Sequence, residues 1–327
     1  MNEIVSRNPM KRKVIFFLFL STFTGSVFSQ FDAQLSQYML NHTAFNPAAV
    51  GESGMIDATL QHRFNMLGFP NAGSTTVASI NSPIKIGDSM HGLGFSALND
   101  AFGLFSSKTF HLQYAYKQNL GEGKLSIGTD VGLVSLGFSG DSLSKHTIDS
   151  QEYPYFTTDP EVPTTSVVGM GFDMSLGVWY STKKWYAGAS YAHLNQPTVR
   201  WGDATEFKQY STLYLTSGLT MPLNDPKYVL KPSMMFKSDF TAWELNLSTR
   251  VEYDNKFWGG LSYRYADAFV FLAGINIADG LSVGYSADLS TNKLISTNYG
   301  SHEFVLTYSF EYVFAKGSTK YKSIRFL

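Results

Sequence analysis

The sequence predicts an all-β fold, an antiparallel transmembrane β-barrel of about fourteen strands set in an outer membrane. Three observations carry this prediction. First, apolar and polar side chains alternate with a two-residue period from about Ile56 to Phe314. Glu244, Asn246, Ser248, Arg250 and Glu252 fall on one face of a strand, and Trp243, Leu245, Leu247, Val251 and Tyr253 on the other. Second, only 16% of the 327 residues are charged while 15% are aromatic. A soluble domain carries roughly 25% charged residues. Hydropathy near zero excludes a helical membrane bundle, whereas a barrel needs only every second residue to face lipid. Third, the chain opens with an export signal.

That signal is assigned to residues 1–29: Lys11, Arg12 and Lys13 precede the apolar run 14–20 and a small-residue stretch, with cleavage before Gln30. The apolar run is too short to cross roughly 30 Å of hydrocarbon as a helix. The chain has no cysteine, which removes thiol catalysis, disulfides and Cys-ligated metal. A net charge of −1 supplies no argument for nucleic acid.

Residues 30–53 lack strand rhythm. Leu35, Tyr38, Met39, Leu40 and Phe45 make them too apolar for a loose linker, so they are expected to pack in or under the barrel. The barrel is assigned to 54–314. Its strands are expected at 56–65, 75–84, 92–99, 108–118, 124–138, 171–181, 185–193, 211–221, 229–237, 242–253, 257–266, 268–277, 281–290 and 302–314. Short turns such as Gly121-Glu122-Gly123, Asp254-Asn255 and Asp279-Gly280 belong to the periplasmic rim. Longer connections at 139–169, 194–210 and 291–301 belong outside. Residues 315–327 form a basic periplasmic tail.

Aromatic residues crowd near the turns. Trp179, Tyr180, Trp185, Tyr186, Tyr253, Phe257 and Trp258 are expected to form a periplasmic girdle, since rings with a polar end favour the membrane interface. Unpaired backbone groups are costly in lipid, so the first strand should pair with the last. The wet face carries Asp130, Asp173, Glu244, Arg250 and Arg264, for which opposite-charge pairing in the lumen is expected.

No catalytic, cofactor-binding or metal-ligating constellation is present in the sequence, and the chain is not expected to be an enzyme. Gly121-Glu122-Gly123-Lys124 lacks the upstream glycine and the Ser or Thr of a phosphate loop. The seven histidines form no His-x-x-x-His pair, and His111 and His302 fall at strand positions.

Two stretches go beyond fold class. Gln30-Phe31-Asp32-Ala33-Gln34-Leu35-Ser36-Gln37-Tyr38-Met39, followed by Asn46-Pro47-Ala48 and Gly51, resembles the opening of mature PorP/SprF outer-membrane proteins of Bacteroidetes. Tyr299-Gly300-Ser301-His302-Glu303 and the basic tail are similar to that family's end. Gln61-His62-Arg63 and Gly68-Phe69-Pro70 resemble its first hairpin, with Asn65-Met66 standing where Trp is common. The resemblance implies a role in type IX secretion and gliding. A barrel of that kind assists export or surface anchoring of a particular protein, such as a large adhesin. Periplasmic type IX components or an OmpA-like peptidoglycan-binding protein are implied as partners.

Tyr153, Tyr155 and Phe156 in the longest loop are the candidate contacts for the adhesin or its C-terminal domain. Loop 194–210 is expected to share in that grip. Lys316, Lys320, Lys322 and Arg325 are the candidate contacts for an acidic periplasmic partner. The alternative reading of such a barrel is an uptake channel for small solutes or hydrophobic compounds.

Overall fold

The computed structural model describes residues 32–69, 71–140, 165–201, 205–291 and 298–311. The signal region, Tyr153, Tyr155, Phe156 and the whole basic tail with Lys316, Lys320, Lys322 and Arg325 lie outside the described residues.

Seven strands come first: β1 Ile56–Phe64, β2 Ser74–Ile86, β3 Ser89–Phe102, β4 Phe105–Leu120, β5 Gly123–Ser139, β6 Ser166–Ser181 and β7 Trp185–Ala192. A small hairpin follows, β8 Thr198–Trp201 and β9 Thr205–Lys208. Then come β10 Thr212–Leu219, the short β11 Met221–Pro222, β12 Tyr228–Ser238, β13 Trp243–Tyr253, β14 Phe257–Arg264, β15 Ala268–Ala278, β16 Leu281–Ser290 and β17 Ser301–Phe310.

Fourteen of these close into an antiparallel cylinder. β1 to β7 pair in order, β7 pairs β10, β10 pairs β12, and β12 to β17 pair in order. The seam is sealed by β1 against β17, from Ile56 opposite Phe310 to Phe64 opposite His302. Each barrel strand therefore has two neighbours and no edge faces lipid.

The side chains sort inversely to those of a soluble protein. Leu112, Leu133, Met170 and Phe269 are exposed outside, whereas Gln61, Asp173, Lys237 and Glu303 are buried inside. The fourteen expected strands all occur, within a few residues at their ends. The main difference lies on one side of the barrel. β4, β5 and β6 have 16, 17 and 16 residues, while β14, β16 and β17 have 8, 10 and 10. A spanning strand needs roughly nine to eleven. The surplus makes a taller wall at the end carrying the long connections. There the outward positions turn polar: Thr76 lies opposite Asn99, Asn99 opposite Lys108 and Lys108 opposite Ser135.

Residues 32–53 thread the lumen. Three single-turn 3-10 helices, Tyr38–Leu40, His42–Ala44 and Pro47–Ala49, bend this segment from the upper lumen down to the start of β1. Leu35, Gln37, Tyr38, Ala48 and Val50 are all buried. Glycines on the inner face make room for it. A Cβ on Gly128 would stand 2.5 Å from Ala48 Cα, and one on Gly92 would stand 2.1 Å from the Val50 carbonyl oxygen. Asn46 caps the third turn, its Oδ1 accepting from Ala48 N at 2.9 Å, while its Nδ2 donates to the carbonyls of Val178 and Ala189.

The fit is tight enough to test. Gly128→Leu should cost about 1–3 kcal/mol by overpacking and should raise proteinase K cleavage within 32–53. Gly259→Leu, at an outward position with only Leu272 O at 3.7 Å, should change neither. Both variants are compared by cleavage mapping after the barrel's resistance to unfolding in cold detergent is checked.

Candidate functional site: a plugged lumen beneath a vestibule

The threaded segment is held by buried charge. Glu303 on β17 accepts from the backbone N–H groups of Ser36 (2.7 Å) and Gln37 (2.9 Å), and from Gln61 Nε2 (2.9 Å). Ser36 Oγ donates to Asp288 on β16 (2.7 Å) and accepts from Arg63 on β1 (2.8 Å) and Arg264 on β14 (3.0 Å). Both guanidinium groups also pair with Asp288, at 2.9 and 3.1 Å. Arg264 reaches Asp267 at 2.8 Å and Glu244 at 3.6 Å, and Lys237 lies 3.4 Å from Glu244. One serine of the segment thus sits among charges from three strands, and every member of the set gains hydrogen bonds that offset its desolvation.

A second cluster grips the segment's first described residue. Asp32 accepts from Tyr214 OH at 2.6 Å, and His193 Nε2 lies 3.0 Å from its other oxygen. His193 Nδ1 lies 2.7 Å from Asp173 Oδ2, which His111 Nε2 also meets at 3.1 Å. In its doubly protonated form the His193 ring donates to a carboxylate from each nitrogen.

Lower down, His42 of the segment packs against Trp179 and Tyr186, with ring centroids 4.8 Å away in each case, and those two rings stack at 4.9 Å. This corrects the expected girdle. Trp179, Tyr186 and Trp258 point into the lumen, where Trp258 lies under the Arg250 guanidinium at 5.0 Å. Strand phase explains it: Trp179 is in register with Asp173 and Ser175. Tyr180, Trp185, Tyr253 and Phe257 do face outward.

The wet-face charges named from the sequence are all luminal. Among them Glu244 and Arg264 belong to the upper network, Asp173 to the histidine cluster, and Arg250 to the Trp258 contact. His111 is luminal, whereas His302 faces outward and shares a hydrogen bond with Tyr285 OH at 2.6 Å. Ser36, Arg63 and Glu303 enter the sequence analysis only as parts of family-like motifs, and Asp288 is not named there; none is predicted to hold the segment. For Arg63, Asp288 and Glu303 the available signal is a charge in phase with the inward positions of β1, β16 and β17.

The described residues of loop 194–210 fold inward, against the expectation of a projecting loop. Its hairpin, β8–β9, folds over the inner face of the tall wall, burying Val199 and Trp201 against Val134, Leu136 and Phe138. The inward glycines Gly169 and Gly171 leave space for it, since a Cβ on Gly169 would meet Val199 at 2.2 Å. Ser166 to Gly169, expected as loop, belong to β6. Above the plug, this hairpin, the Phe102 and Phe105 rings and the Arg63–Arg264–Asp288 network enclose a vestibule of about 750 Å³.

A family model described as type IX secretion system membrane protein PorP/SprF matches residues 27–308. The chain belongs to the PorP/SprF family. This member is therefore an outer-membrane component of type IX secretion, and its family is one of secretion membrane proteins rather than an enzyme class. No curated protein gives a significant match. Among solved structures, the toluene transporter TbuX of Ralstonia pickettii aligns with a TM-score of 0.47 and 14% identity, over 84% of this chain and 93% of that one. The toluene transporter TodX of Pseudomonas putida aligns at 0.44 and 12%, over 87% and 95%. The outer membrane protein Omp33 of Acinetobacter baumannii aligns at 0.45 and 7%, over 78% and 98%. The likeness goes no further than barrel architecture.

The upper network generates a quantitative expectation. Arg264→Ala leaves Asp288 and Glu244 buried with fewer partners, and removing one member of such a set costs about 3–5 kcal/mol. Arg200→Ala breaks an exposed pair with Glu206 and should change stability by no more than about 1 kcal/mol. Urea unfolding of the two variants, followed by tryptophan fluorescence, checks the contrast.

Proposed function

We propose that this PorP/SprF protein is a plugged scaffold, which holds an exported protein such as a large adhesin at its extracellular mouth instead of conducting it through the lumen. One observation supports this above the others: residues 32–53 fill the lumen and are hydrogen-bonded to strands on opposite sides of it. A polypeptide would have to break the buried charge network to pass. The vestibule above the plug offers an apolar wall from Trp201, Phe207, Phe102 and Phe105 and a charged floor, which suits contact with a protein. Tyr153, Tyr155 and Phe156 would extend that contact. On the periplasmic side, Lys316, Lys320, Lys322 and Arg325 would dock an acidic face of a type IX component or of an OmpA-like peptidoglycan-binding protein.

The plug separates this reading from small-solute uptake. In planar bilayers the intact barrel should show little ion conductance, and deletion of residues 32–49 should raise it at least tenfold, because removing the segment empties the lumen. Porin-sized conductance from the intact chain would replace the scaffold with an uptake channel. Co-purification in mild detergent should recover the exported protein with the intact barrel. Removal of 316–327 should release periplasmic partners while leaving the exported protein bound.

A further inference from the structure

Many luminal charges have an opposite charge in close contact; Asp130 and Asp100 do not. Asp130, on β5, is only 4% exposed, and its Oδ1 has no hydrogen-bond partner among the described residues. Two bases share its chamber: His111, whose Nδ1 lies 4.0 Å from the other oxygen, Oδ2, and His193, which is already engaged by Asp32 and Asp173. Asp100, on β3, accepts a hydrogen bond from Thr75 Oγ1 at 2.5 Å and has no ion pair among the described residues.

Both line internal space. Asp130 faces a chamber of about 170 Å³ beside the plug, together with Thr109, His111 and Ser175. Asp100 lines that chamber and also the vestibule, and the two spaces share Asp32, Ser107, Leu136 and Phe207 as well. The chamber is thus a side pocket of the vestibule, whose neck sets the apolar Leu136 and Phe207 beside Asp100 and Asp32, with Asp130 beyond. A buried carboxylate oxygen without a donor is costly, and a donor brought by a ligand removes that cost. A neck that accepts methylenes and a base that accepts a charged donor together match a long basic side chain.

We propose that this chamber is a receptor pocket for one arginine or lysine side chain of a polypeptide docked in the vestibule. The stem runs past Leu136 and Phe207, and the cation meets Asp130 and Asp100. This assignment rests on the docking role proposed above and adds the chemistry that selects the partner. An acidic side chain is disfavoured there, because Asp100 and Asp130 face the pocket without a close cation of the protein's own.

The test uses the full-length barrel purified in detergent, with the peptide acetyl-Gly-Arg-Gly-Phe-amide and its citrulline analogue as probes in calorimetry at low salt. The arginine peptide should bind at least about tenfold more tightly than the citrulline peptide, the scale of one lost charge-assisted hydrogen bond. Asp130→Asn and Asp100→Asn should each weaken the arginine peptide by about tenfold. Ser107→Arg, which places a cation of the protein's own in the pocket mouth, should abolish binding even where an Asp variant fails to fold. Equal binding of the two peptides, no measurable binding, or full affinity in Asp130→Asn or Ser107→Arg would overturn the pocket. The two proposals fail separately. Surface display of the exported protein that requires the barrel, without arginine selectivity, removes only the pocket. Arginine selectivity with display that ignores the barrel keeps the pocket and removes the docking role.

Discussion

Hydrocarbon offers no hydrogen-bond partner to a peptide group, and the rest of the molecule follows from that constraint. It forces the sheet to close, so β1 must meet β17 even though they are separated by the whole barrel sequence. It also inverts the chain: large apolar residues go outside, and the interior is left to polar side chains that soluble proteins would keep in water. A cylinder of fourteen strands has more interior than short polar side chains can fill. The protein fills it with its own preceding segment.

That filling is achieved by charge rather than by oil. Ser36, Arg63, Arg264, Asp288 and Glu303 come from the plug and from four strands, and removing one of the charged members leaves another buried charge short of a partner. Such a network contributes little net stability compared with apolar packing of equal volume, but it defines one position for the plug. Apolar contacts complete the fit where glycines allow the backbones to approach, at Gly92 against Val50 and at Gly128 against Ala48. In this member of a secretion family, the barrel lumen is occupied by the chain's own segment.

The barrel is also lopsided. Strands β4 to β6 exceed the length needed to span, and their surplus carries polar residues outward and a covering hairpin inward. The hairpin turns the top of the wall into a small two-layer sheet with its own apolar core around Val134, Leu136, Val199 and Trp201. The vestibule lies between this wall and the charged floor. The vestibule therefore opens at the end of the barrel that carries the long connections, above a plugged lumen.

Much of this was legible in the sequence. The two-residue period and the turn chemistry placed all fourteen strands, because both are local properties of neighbouring residues. Phase alone identified Asp130, Asp173, Glu244, Arg250 and Arg264 as luminal. Phase would also have turned Trp179 inward, but its closeness to a turn suggested a girdle, and only the stacking partners Tyr186 and His42 account for its burial. The inward fold of 194–210 was not legible, since its partners Val134, Leu136 and Phe138 lie far away on β5. By itself the sequence determined the closed barrel, its two faces and its family, because these depend on alternation and on motifs read along the chain. Tertiary structure decided which charges pair, where the plug rests and how the vestibule is shaped. Those outcomes depend on strand register around a closed ring, which brings Ser36 to Asp288 across 252 positions of chain.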